Sequence, residues 1–225
     1  MASRARSRAQ LYGALAQAFV KPEAAPREGQ DSLPQALQQA ALAFDAEPLG
    51  QLVEQAIGSL EISEKPGFAE TLRTLEIEYN RLFVGPAPPQ APPYESVYRD
   101  ARGLVMGPTA REVERRYAEA GLGLAPDHRD LPDHVATELG FMAHLASQEA
   151  EAQPQDALIW LDRARAFLRD HLAVWLPRFC QRVREASRHP FYAALAELTV
   201  TFVNLDVEWI ETHYTNSNPR ERLDK

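Results

Sequence analysis

The sequence predicts an all-α protein: one globular, bundle-like domain of about nine helices with a proline-rich internal loop. Three observations carry that expectation. Apolar residues return at the three-and-four spacing of a buried helix face along most of the chain. Prolines fall between such segments or inside their first turn, where a missing N–H is tolerated. No strand-length alternating run bounded by hairpin turns occurs.

The first helix is expected over 3–20, with Leu11, Leu15, Ala18 and Phe19 on one face, and Lys21-Pro22 ends it. A polar stretch, 22–31, follows. Ser32 can cap a helix over 33–44 that takes Pro34 early, and Pro48 sits near the start of another over 47–60. A longer helix, 66–83, carries Phe68, Leu72, Leu75, Tyr79, Leu82 and Phe83 on one stripe. Five prolines then occupy 84–100, which predicts a stiff, extended path. Tyr94 and Tyr98 in that segment predict that it packs on the body. Helix resumes after Pro108 and stops at Gly121. Pro132-Asp133 opens a helix to 151, Asp156 caps one to 175, Pro177 restarts the path to 187, and Pro190 opens the last helix, to 213.

This punctuation predicts an N-terminal helical subdomain, 1–120, holding the proline-rich loop 84–100. A hinge at 121–132, a C-terminal subdomain at 133–214 and a loose polar tail at 215–225 complete it. The 225 residues are 45% apolar, enough for a sizeable core. No apolar run approaches the roughly 18 residues a membrane span needs, so no stable membrane association is expected. The basic start and the amphipathic Leu11–Val20 lack a cleavage site, which makes the cytoplasm the expected compartment. The net charge of −8 repels phosphate backbones and disfavours nucleic acid, while it favours a basic partner segment. A single cysteine, Cys180, makes neither an internal disulfide nor a structural zinc site.

Catalytic signatures are missing: no phosphate loop, no dinucleotide fingerprint, no nucleophile elbow. Cys180 sits among Leu176, Phe179 and Val183 at helical spacing and reads as core. The same holds for Trp160, Trp175, Trp209, Phe167, Phe179, Phe191 and Phe202. His134 and Glu138 stand four apart, a spacing that binds metal only where further ligands converge. Pro126-Asp127-His128 and Pro132-Asp133-His134 flank the hinge. Their aspartates are either helix caps or carboxylates offered to a cationic partner.

Tyr79-Asn80-Arg81-Leu82-Phe83-Val84-Gly85-Pro86, then Pro92-Pro93-Tyr94-Glu95-Ser96-Val97-Tyr98, resemble the signature of the TorD/DmsD family of redox-enzyme maturation chaperones. So do Leu131-Pro132-Asp133-His134-Val135 leading into Glu138-Leu139-Gly140-Phe141-Met142, Leu11-Tyr12 with Leu15-Ala16 and Phe19, and His171-Leu172 with Trp175, Pro177 and Phe179. The matches keep the family's order over nearly the whole chain. The resemblance implies a TorD-like all-helical fold, no catalysed reaction, and a client among the molybdopterin oxidoreductases. The partner would be the client's apo catalytic subunit, held by its twin-arginine signal peptide until the cofactor is inserted. It implies no resident cofactor, beyond weak guanine-nucleotide binding in some relatives, and either a monomer or a dimer that exchanges domains at the hinge. Asp133 and His134 match the family's peptide-binding pair, Tyr79, Leu82 and Phe83 its apolar contacts, and Pro93, Tyr94 and Glu95 its lining loop. The expected site is an apolar trough of Tyr79, Leu82, Phe83 and Tyr94 edged by Asp133 and Glu95, which would face arginines. Two other readings are a helical adaptor for some other partner helix and a metal-dependent hydrolase using Asp133, His134 and Glu138.

Overall fold

Helices form where the sequence places apolar stripes, and a computed structural model describes all residues except 1, 23–31, 45, 61–67, 102, 124–129 and 218–225. The elements are α1 (Ala2–Ala18), α2 (Leu33–Phe44), α3 (Glu47–Gly58), α4 (Phe68–Tyr79), α5 (Glu95–Arg99), α6 (Pro108–Glu119), α7 (Val135–Glu151), α8 (Pro154–Phe167), α9 (Ala173–Ala186) and α10 (Pro190–Ser217). Two π-helical turns, π1 (Asn80–Val84) and π2 (Leu168–Leu172), prolong α4 and join α8 to α9. The described residues therefore make nine continuous helical rods and no named strand. None of these helices is long and apolar enough to cross a membrane.

Helix starts follow the prolines: α3, α6 and α8 each have one in the first two positions. Pro177 departs from expectation. It lies inside α9 and restarts nothing. Its ring crowds the carbonyl four residues back, which is that of Ala173, the first residue of α9 after π2. The last helix also runs further than expected, to Ser217, so the start of the expected loose tail is helical. Pro126-Asp127-His128, the middle half of the expected hinge, and residues 218–225 lie outside the described residues.

One continuous core takes members from both sides of residues 121–132. α1 lies along α7 and α2, α3 packs on α10, and α10 also packs on α9. A buried ionic network ties this arrangement together. Arg8 on α1 donates from Nε to Asp206 on α10 at 2.6 Å and from Nη1 to Glu149 on α7 at 2.5 Å. The Tyr12 hydroxyl donates to the other Asp206 oxygen at 2.8 Å. Burial alone would drive the Arg8 charge off, but the two carboxylates hold the guanidinium ionised.

Removing one member of a buried charge network strands the others. Arg8→Ala should lower unfolding stability by about 3–5 kcal/mol, measured by urea denaturation.

Candidate functional site

The proline-rich segment is extended only as far as its prolines reach. Gly85 ends π1 at φ 131°, where a Cβ would meet the Ala87 carbonyl oxygen at 3.0 Å, so only glycine turns the chain there without strain. Ala91 then donates its N–H to the Leu82 carbonyl at 2.8 Å and is itself buried. All five prolines precede Tyr94, and past them the chain is free to coil: Tyr94 is the N-cap of the single-turn helix α5. The expectation of an extended path through residue 100 is corrected accordingly. Tyr98 packs against Trp175 and Phe179, which holds the segment to the body as expected.

The two motif segments meet. Tyr94 and His134 form an isolated antiparallel bridge, closed by Glu95 N–H to the Asp133 carbonyl (3.0 Å) and Val135 N–H to the Pro93 carbonyl (2.9 Å). The Tyr94 ring stands edge-on to the His134 ring, centroids 5.2 Å apart. The fully buried Asp133 accepts the Ser96 N–H at 2.9 Å. It thus caps α5 from another part of the chain and is not the cap of the helix it precedes. That role falls to His134, whose Nδ1 accepts the Ala136 N–H at 3.1 Å as N-cap of α7.

Tyr79 reaches the same neighbourhood. Burial raises its phenol above the ordinary range, and the charge of Asp130 adds to that, with Tyr94 contributing. The Tyr94 phenol is raised in the same order, by burial, then Asp130, then Asp133. Asp130 itself is exposed. The structure thus brings Tyr79, Pro93, Tyr94, Glu95, Asp133 and His134 into one region.

It does not make them an open trough. Leu82 is 0% exposed and Phe83 4%, and Phe83 packs against Phe19, Tyr79, Phe179 and Tyr192. Both end the amphipathic stripe of α4 and face the core. Asp133 and Glu95 are equally buried, each engaged inside, so neither edges a groove. Glu95 accepts from Arg99 Nη1 at 2.5 Å and lies 3.0 Å from His171 Nδ1. Tyr94 alone of the predicted set is half-exposed.

The hydrolase arrangement is not assembled either. Asp133 is turned to Ser96, His134 to Ala136, and Glu138 to the Trp175 indole N–H at 2.9 Å. Among the described residues no group of three or more His, Cys, Asp or Glu is placed to hold a metal ion. Cys180 is buried, and burial pushes its thiol up, away from the reactive thiolate.

A family model described as nitrate reductase delta subunit matches residues 45–181, more than half of the chain. The chain belongs to the TorD family. Relatives named chaperone protein TorD include one from Aliivibrio fischeri, 28% identical over 137 residues, covering 60% of this chain and 64% of that one. Another, from Photobacterium profundum, is 30% identical over 139 residues, covering 60% and 63%. A third, from Shewanella piezotolerans, is 29% identical over 154 residues, covering 65% and 67%. For the first two, the match spans less than two thirds of the relative's own length. A candidate redox enzyme maturation protein from Archaeoglobus fulgidus shares the all-helical fold at a TM-score of 0.51 and 21% identity, over 88% of this chain and 93% of that one. The matched stretch of this TorD-family chain contains both bridged segments.

Sequence reasoning singled out Asp133 and Glu95 as surface carboxylates and passed over Asp130. It placed His171 in a motif and read Trp175 both as part of that motif and as a core aromatic. Periodicity marked both as helical, and only the fold shows them meeting Glu95 and Glu138. Phe83→Ala should cost about 3–5 kcal/mol of stability in chemical denaturation, as a core truncation does.

Proposed function

We propose that this chain is a cytoplasmic maturation chaperone for a molybdopterin-containing oxidoreductase, holding the apo catalytic subunit by its twin-arginine signal peptide until the cofactor is in place. The observation that carries this reading is the union of segments 93–95 and 133–135 in one bridged face, in a chain of the TorD family. The named activity of the relatives supports it.

The contacts differ from a simple trough. Tyr94 offers its half-exposed ring to an apolar stretch of the peptide, with His134 beneath fixing the ring's orientation. Leu104, Val105 and Met106, exposed on the connection between α5 and α6, extend the apolar surface available near α5. Asp130, exposed, is the carboxylate of this region available to meet an arginine among the described residues, since Asp133 and Glu95 are used inside. The net charge of −8 attracts the basic start of such a peptide.

Isothermal titration with the twin-arginine signal peptide of a molybdopterin oxidoreductase from the same organism tests the reading. Tyr94→Ala should weaken binding about tenfold, as loss of an aromatic anchor does. Asp130→Asn should weaken it about fivefold at low salt, and less at high salt, because an exposed pair is screened. Wild-type affinity in both variants would refute the reading.

A further inference from the structure

Beneath the bridge, three carboxyl groups from three parts of the chain are shut away from solvent. Glu95, Asp133 and Glu138 are each fully buried. Their partners are unequal. Asp133 has the Ser96 N–H, and Glu95 has Arg99 and His171. Glu138, on α7, takes the neutral indole N–H of Trp175 and has no cation among the described residues, and its carboxyl lies against that of Glu95. Its second oxygen, Oε1, is buried and takes no hydrogen bond from the described residues, and the same is true of Asp133 Oδ1 and His171 Nε2.

The surrounding elements bring no further cation to Glu138. α5 supplies Glu95 and Arg99, and Arg99 points to Glu95 and the Asp170 carbonyl. α6 supplies Tyr117, a phenol whose ionisation is opposed by burial and by the charges of Glu138, Asp133 and Glu95, and Arg116, which pairs with Glu119 and Asp170. π2 supplies His171 and Asp170. α1 brings Arg8 to Glu149, and α8 brings Arg165 to Glu211. α9 contributes Trp175, and its Arg178 donates to the Tyr98 carbonyl. Three buried carboxylates facing one arginine and one histidine cannot all ionise without a large desolvation and repulsion cost. Neither Asp133 nor Glu138 has a charged partner among the described residues; Asp133 is engaged as the cap of α5, and Glu138, on a neutral indole, is where a proton is held most cheaply.

We propose that Glu138 holds a proton which it shares with Glu95, and that this proton fastens the Pro93–Arg99 segment, with the Tyr94–His134 pair it carries, onto α7. The step is a plain protonation: one proton bridges two carboxyl groups, and its loss to solvent leaves mutual repulsion under the bridge. Glu138 is a positioning residue here. Burial, then Glu95, hold its carboxyl well above the ordinary range, Asp133 adds to this, and the Trp175 N–H opposes it. A carboxyl that binds its proton more tightly folded than unfolded stabilises fully below the unfolded value of about 4.5, and that stabilisation is lost as pH rises through the folded value. The bridged face is therefore fastened on the acid side and loosens on the alkaline side. The tie to client binding rests on the function proposed above. The latch itself does not.

Hydrogen–deuterium exchange without any client reads the latch directly. The amides of Glu95, Ser96 and Val135, corrected for intrinsic exchange, should lose about tenfold more protection than those of α1 as pH rises from the acid to the alkaline end of the range in which the wild type stays folded. Glu138→Gln, which copies the protonated acid in shape and donors, should abolish that difference. An equal loss in Glu138→Gln, or no selective loss in the wild type, overturns the proposal. Carbon-13 carboxyl resonances of glutamate in the wild type give an independent check should the variant fail to fold. One glutamate still protonated near neutral pH supports the proposal, and none overturns it. Client binding unchanged by Tyr94→Ala would remove the client reading and leave this exchange result standing.

Discussion

One carboxylate decides whether the bridged face exists. Asp133 sits at the end of the connection into α7, yet its side chain caps α5, nearly forty residues earlier in the chain. A one-turn helix is far too short to persist alone. α5 holds its place because Asp133 satisfies an N-terminal N–H, the bridge fixes the preceding residues, and Tyr98 packs on Trp175 and Phe179. The position of Tyr94 follows from those three constraints. So does the orientation of His134, which is committed to its own cap and to the Tyr94 ring.

The same economy explains why acidic residues in this region are poor guides to what the surface offers. Asp133 and Glu95 look like ligands for a cation because carboxylates are rarely buried without one. Here they are engaged inside, by a backbone N–H, an arginine four residues on and a histidine from π2. Asp130, three residues before Asp133, is left in water. An acidic residue's availability to a partner is thus set by what the fold already asks of it.

The helices were readable because apolar spacing and proline position are local signals: the α2 boundaries coincide with expectation, and α3 and α6 begin where their prolines place them. What failed was context. Pro177 lies inside a helix that follows directly on a π turn, which no local pattern announces. Leu82 and Phe83 read equally well as core or as groove, since a stripe at helical spacing is blind to what lies opposite. Phe19, Phe179 and Tyr192 decide the matter for Phe83, and they come from distant helices. The ordered motifs do come together in the fold, where Tyr79, Tyr94 and His134 converge. They could not distinguish a side chain that meets a partner from one that builds the platform.

The Arg8 network has a bearing on how the molecule is made. Arg8 leaves the ribosome well before Asp206, which accepts the hydrogen bond from its Nε and is synthesised last among its partners. Until then the guanidinium has only Glu149 to pair with, and enclosing it would be costly. The first helix should stay loosely docked while the chain grows and settle when α10 arrives, so that closure of the interior waits on the synthesis of α10.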